Sequence, residues 1–277
     1  MLVKMMKYEI KATSRWFLPL YVSVLIFSLI NRFTLYSPYM NNKFSFVSSS
    51  INNPAVAGNS FSSVMKGIIS ALSMFIYVTL FIGLFVATLI VVIQRYYKSL
   101  LGDEGYLMFT LPVNSWQHIL NKLLVSMLWC FLSTLVAICS ILILIPAGSI
   151  HEITNAFRQL KELFGIPGII NLLLFMILGL TLSILQIYSA ISLGHLFNKH
   201  KLLLSFAMYL GIDAVKQFIS LIILAVIASA TSTQFSDIDG LNLFKNIMGI
   251  FTVFCAVFSA GHFFLTSYLT KWKLNLE

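Results

Sequence analysis

The chain has 277 residues, of which 59% are hydrophobic and 10% charged, and its mean hydropathy is +0.92. A soluble domain carries about 25% charged residues to coat its surface, so these proportions exclude a water-soluble globule and make lipid the surface solvent. The net charge of +9 does not point to nucleic acid, because the basic residues are scattered through short segments beside apolar runs, where they face anionic headgroups.

About 20 apolar residues cross a bilayer core of about 30 Å. Six stretches meet that length, at about 16–36, 67–94, 118–146, 167–194, 202–230 and 245–270. In hydrocarbon every backbone polar group must be satisfied within the segment, so the runs are expected to be helices. The expected fold is therefore all-α: one polytopic membrane helical bundle over residues 1–277 with six transmembrane helices.

Lys and Arg near the ends of the runs set the expected orientation. With the N-terminus inside, the cytoplasmic segments hold Lys4, Lys7, Lys11, Arg15, Arg95, Lys98, Lys122, Lys199, Lys201, Lys271 and Lys273. The other side holds Arg32, Lys43, Lys66, Arg158, Lys161 and Lys245. This bias places both termini in the cytoplasm and the chain in the cell membrane. The first apolar run begins near Trp16 and exceeds the core of a cleavable signal.

In chain order, residues 1–15 read as a basic amphipathic helix lying in the inner headgroup plane, with Lys4, Lys7, Lys11 and Arg15 on one face and Leu2, Val3, Met6 and Ile10 on the other. Residues 37–63 are rich in Ser and Asn and read as a loop. Between the second and third runs, Asp103 is placed to cap a short helix, with Glu104 in its first turn. Pro112 ends that helix by disfavouring helical backbone at Leu111. Gly105, Tyr106, Met108, Phe109 and Leu111 fall within this segment. Its apolar side chains have two uses open to them: facing headgroups, or filling a groove on a partner. Before the fourth run, Ser149 and Glu152 have capping-box spacing and open an amphipathic stretch with Ile150, Ile153, Phe157, Leu160 and Phe164 on one stripe. Inside the spans, small residues four apart at Gly83 and Ala87, Ala190 and Gly194, and Ala207 and Gly211 permit close helix packing.

Two of these segments carry a resemblance. The opening residues 2–20, with Lys4, Lys7, Tyr8, Glu9, Lys11, Arg15 and Pro19, resemble the start of ATP-binding-cassette type-2 permeases common in Firmicutes. The run 102–112, Gly-Asp-Glu-Gly-Tyr-Leu-Met-Phe-Thr-Leu-Pro, followed by Lys122, looks like that family's coupling segment. The resemblance covers essentially the whole chain. It implies an ABC exporter whose permease chains pair, identical or with a paralogue, and are driven by separate ATPase subunits that dock on 103–112 and carry the ATP and Mg. The cargo expected on this basis is a peptide, a lipid-like molecule or a drug. The family's re-entrant helical pair before the last span has little room here, since 231–243 is short.

The chain contains no G-x-x-x-x-G-K-[ST] phosphate loop, so ATP hydrolysis is expected in a partner and no cofactor in this chain. No Ser/His/Asp grouping or metal-ligand spacing stands out. The five histidines are placed near helix ends, and Cys130, Cys139 and Cys255 lie inside apolar runs without a disulfide pattern. Asp213 and Lys216 are the sharpest intramembrane feature. They sit near mid-bilayer at a three-residue spacing that lets their side chains meet, at a depth where each charge alone costs at least about 2.5–3.5 kcal/mol. Two readings stay open: a polar patch lining a translocation path, extended by Gln186 and Gln217, or a self-neutralised pair that sets helix register. Two other functions use the same residues: an ion-coupled secondary transporter working through Asp213 and Lys216, and a non-transporting sensor or scaffold.

Overall fold

A computed structural model describes residues 2–36, 60–98, 115–146, 150–197, 200–232 and 240–272. Of these, 97% are helical, and no strand occurs among them. The helices are α1 (Leu2–Tyr36), α2 (Ser60–Tyr96), α3 (Ser115–Leu144), α4 (Ile150–Gly194), α5 (Lys201–Ser232) and α6 (Gly240–Trp272). All six are long and apolar enough to cross a membrane. The chain is a six-span, multi-pass membrane protein. The segment 103–112 and Ser149 lie outside the described residues.

One element differs from the sequence reading. The basic stretch is not a separate element but the first turns of α1, which runs unbroken from Leu2 through Tyr36. No glycine interrupts it, and Pro19 is accommodated inside. Proline lacks the N–H that would bond the carbonyl of Arg15, a loss that water can make good where the basic stretch meets the apolar run. The inward face of these turns also differs. Glu9 and Thr13 are buried there, in line with Phe17, Tyr21 and Val24, while Lys7, Lys11 and Arg15 are exposed. In α4 the amphipathic stretch and the fourth span are two helices that meet at a kink, as the sequence reading separates them. Gly165 separates them with φ 65° and ψ 174°. That left-handed backbone suits glycine, and Pro167 then opens the second segment with its preset φ.

The chain divides into two compact units. One comprises residues 8–90 and 128–155. Its centre is a stack of Phe17 on Trp129, with centroids 4.4 Å apart and planes at 13°. Small polar side chains tie its helices together. Tyr21 Oη and Thr88 Oγ1 both lie 2.9 Å from Ser133 Oγ, and Tyr77 Oη lies 3.1 Å from Ser140 Oγ. Asn31, late in α1, donates to the carbonyl of Ser73, early in α2, and accepts from its hydroxyl at 3.0 Å. Arg32 donates to the carbonyl of Ile143, near the end of α3, at 2.7 Å. These pairings run α1 antiparallel to α2 and parallel to α3. Helices have no hydrophobic drive to associate in lipid, so such hydrogen bonds and close packing hold them, at roughly 0.6–2 kcal/mol each. Arg32, a topology charge by sequence alone, satisfies a carbonyl that the end of α3 leaves open.

The other unit comprises residues 1–7, 91–127 and 156–277. Here Tyr96 stacks on Tyr188, with centroids 4.0 Å apart. Tyr96 Oη lies 2.7 Å from Ser192 Oγ, and Tyr188 Oη lies 2.8 Å from Ser126 Oγ. Thr181 meets Met127 while Tyr188 reaches the carbonyl of Lys122, so within this unit α4 runs antiparallel to α3. It runs parallel to α6, since Asn171 pairs with Thr252 and Ser189 with His262.

Candidate functional site

The site is built on α4, α5 and α6 within the second of these units. α5 is the least enclosed helix: from 201 to 229, Ser205 is its only buried residue. A tight hairpin joins it to α4. A Cβ on Gly194 would fall 2.1 Å from Ser205 Oγ and 2.5 Å from its Cα and N, so the two backbones meet where only glycine fits. Beyond that hairpin, Asp213 and Lys216 of α5 both hydrogen-bond to one residue of α4, Gln186.

Asp213 and Lys216 pair as their spacing predicts, with Lys216 Nζ 2.6 Å from Asp213 Oδ1. The pair is not self-contained. Lys216 Nζ also donates to Gln186 Oε1 at 2.7 Å, and Gln186 Nε2 donates to Asp213 Oδ1 at 3.2 Å. Gln217 Nε2 donates to Asp213 Oδ2 at 2.9 Å. Gln186 itself is 1% exposed, whereas the Lys216 and Asp213 side chains are 24% and 27% exposed and Gln217 is exposed. The cluster is anchored in the bundle on one side and open on the other. The charge of Lys216 also reaches Cys255 and His262 on α6.

His262 departs from the sequence reading, which places the histidines near helix ends. It lies inside α6, is 8% exposed, and has Nδ1 at 2.9 Å from Ser189 Oγ. That pair is not arranged as a nucleophile and its base. The Ser189 hydroxyl donates to the carbonyl of Gln186 at 2.9 Å, which leaves His262 Nδ1–H as the donor to the serine oxygen.

Protein-family models, curated proteins and solved structures offer no match to this chain. The site therefore stands on its own geometry. Among the described residues no three His, Cys, Asp or Glu side chains could hold a metal ion. Lys7, Lys11 and Arg15 form an exposed basic face on α1, on the same helix as Lys4. The expected docking residues Asp103, Glu104, Gly105, Tyr106, Met108, Phe109, Leu111 and Pro112 lie outside the described residues.

A second polar concentration is only partly legible in the sequence. At the start of α3, His118, Asn121 and Lys122 are 1%, 0% and 2% exposed. Lys122, a topology charge by sequence alone, is enclosed, and its carbonyl accepts from Tyr188 Oη at 3.3 Å. One signal for this arrangement is present: Gln186, Tyr188, Ser189 and Ser192 form a dense polar run inside an otherwise apolar span.

Proposed function

We propose that this chain is the membrane-spanning permease subunit of an ATP-driven exporter, which moves a peptide, lipid-like or drug-like molecule out of the cell. The observation that carries the reading is the half-open polar cluster of Gln186, Asp213, Lys216 and Gln217 in the middle of a membrane span. A purely structural ion pair is best enclosed, because each charge exposed to hydrocarbon costs at least about 2.5–3.5 kcal/mol. One that keeps an open side suits a path along which polar groups pass. The energy source enters from the resemblance of 2–20 and 102–112 to ABC type-2 permeases and from the missing phosphate loop. ATPase subunits would dock on the cytoplasmic segment 103–112, a second permease chain would complete the path, and N- and C-termini would lie in the cytoplasm of the plasma membrane.

The test is affinity purification of the tagged chain from native membranes. An ATPase bearing a phosphate loop should co-purify, and Phe109→Asp should release it while the permease stays folded. Retention of the ATPase by that variant defeats the docking model. Transport that persists on ATP depletion and stops with a protonophore replaces the reading with ion-coupled transport through Asp213 and Lys216.

A further inference from the structure

An ammonium has three N–H donors. At Lys216 two of them are used, by Asp213 Oδ1 at 2.6 Å and by Gln186 Oε1 at 2.7 Å. The third has no partner among the described residues. Gln217 gives one amide N–H to Asp213 Oδ2, and its second N–H, on an exposed side chain, has no partner among the described residues. Asp213 meanwhile accepts from Lys216, Gln186 and Gln217, which fills three of the roughly four acceptor sites of a carboxylate. The cluster thus offers donor capacity outward, part of it charged, and an unmet charged donor in hydrocarbon is costly.

The surroundings restrict which ligands can meet that need. Leu210, Leu221 and Leu224 are 52%, 62% and 45% exposed on α5. At spacings of seven, four and seven residues from Gln217 they share its side of the helix. A ligand that reaches Lys216 from this side passes along an apolar helix surface.

We infer that Lys216 and Gln217 form a binding site for the phosphate or carboxylate headgroup of an amphiphile, with the hydrocarbon tail lying along Leu221 and Leu224. The headgroup oxygen accepts the third Lys216 N–H and the second Gln217 N–H, and Gln186 holds the ammonium in place from behind. This deepens the export reading by naming the headgroup of the cargo, and it rests on that reading only for the steps after binding. Binding itself needs no ATPase, so the two can fail separately.

The experiment uses the purified full-length chain in dodecyl maltoside, where a neutral headgroup on the same tail is already in excess. Dodecyl phosphate is titrated in, and bound molecules are counted by native mass spectrometry. One saturable adduct is expected for the wild type and for Lys216→Arg, which keeps the donors. The neutral double variant Asp213→Asn with Lys216→Met should bind about tenfold or more weaker, as expected for loss of a hydrogen bond from a charged donor. Excess inorganic phosphate that fails to displace the adduct assigns the headgroup to a lipid; displacement assigns it to a free anion. Absence of a saturable adduct, or equal affinity in the double variant, overturns the site. If the double variant does not fold, Gln217→Leu on the exposed face decides: a severalfold loss supports the site, and unchanged affinity overturns it.

Discussion

Gln186 Oε1 lies 2.7 Å from Lys216 Nζ, and through that bond a residue of α4 holds an ion pair that belongs entirely to α5. The same amide donates to Asp213, so Gln186 bridges both members of the pair. The enclosed end of the cluster is an uncharged side chain, and the charges themselves keep an open side.

Removing one member of the pair should therefore cost more than removing both. Asp213→Asn leaves Lys216 with uncharged partners only. Breaking a buried pair costs about 3–5 kcal/mol, and with about a quarter of each side chain exposed the loss should be nearer 1–3 kcal/mol. The neutral double variant should recover the melting temperature and expression of the wild type but not its transport. Recovery of transport as well would return the pair to a structural role.

Gln186→Leu tests the bridge from the other side. The pair survives, but α5 loses the side-chain hydrogen bonds that reach α4 from its centre. Melting temperature should fall by the equivalent of about 1–3 kcal/mol, because a buried charge partner is lost. A cysteine on the exposed face of α5 should also label faster in the variant. An unchanged labelling rate would mean the hairpin alone positions α5.

Gly194→Ala addresses that hairpin. The new methyl would meet Ser205 backbone atoms at 2.5 Å as well as its hydroxyl, so the helices must separate. Overpacking of this kind costs about 1–3 kcal/mol. Ser205→Ala in the same chain should not rescue it, because the backbone clash remains. At Gly83 and Gly211 a Cβ meets nothing within 4 Å, and alanine there should be neutral or slightly stabilising.

His195, just beyond α4, predicts a pH dependence. Burial pushes its imidazole below the ordinary histidine value; the bond to the Ile191 carbonyl opposes this in part, and the charge of Lys201 adds to it. The folded state thus prefers the neutral ring, which packs edge-on against Tyr97 at 5.2 Å. As pH falls through the ordinary value of about 6.5, the unfolded chain takes up a proton before the folded one does. Stability should fall on acidification from there down to the lower folded value, with no contribution from this group above it. Thermal melts across that range should show a shallower acid loss in His195→Gln; parallel curves would acquit His195.

Topology can be read at the two ends of α4. In a chain freed of Cys130, Cys139 and Cys255, cysteines introduced at Glu152 and at Lys201 should label from opposite sides of the membrane. Residues 166–194 between them extend about 43 Å at 1.5 Å per residue, more than a bilayer core. Glu152 is expected outside and Lys201 inside. Labelling of both from one side would remove the fourth span, and reversed sides would invert the charge-based orientation.

The sequence by itself determined that the chain crosses a membrane six times as helices. That is a property of runs of about 20 residues, and it survives any detail of packing because hydrocarbon leaves the backbone no alternative. It also determined that Asp213 and Lys216 meet, since helical spacing alone brings them together. Only the tertiary structure decided which partner each polar side chain faces. Gln186 reaches Asp213 across 27 positions, and Ser189 reaches His262 across 73. Lys122 and Arg32, two basic residues that look alike as topology charges, are an enclosed side chain and a partner for the end of α3. Three small-residue spacings look equivalent in the sequence, yet of their glycines Gly194 is pressed against a neighbour while Gly83 and Gly211 are open. The physical reason is common to all of these. Hydropathy measures how apolar a helix is, but its rotation about its own axis is set by the partners it packs against, and those lie far away in the chain.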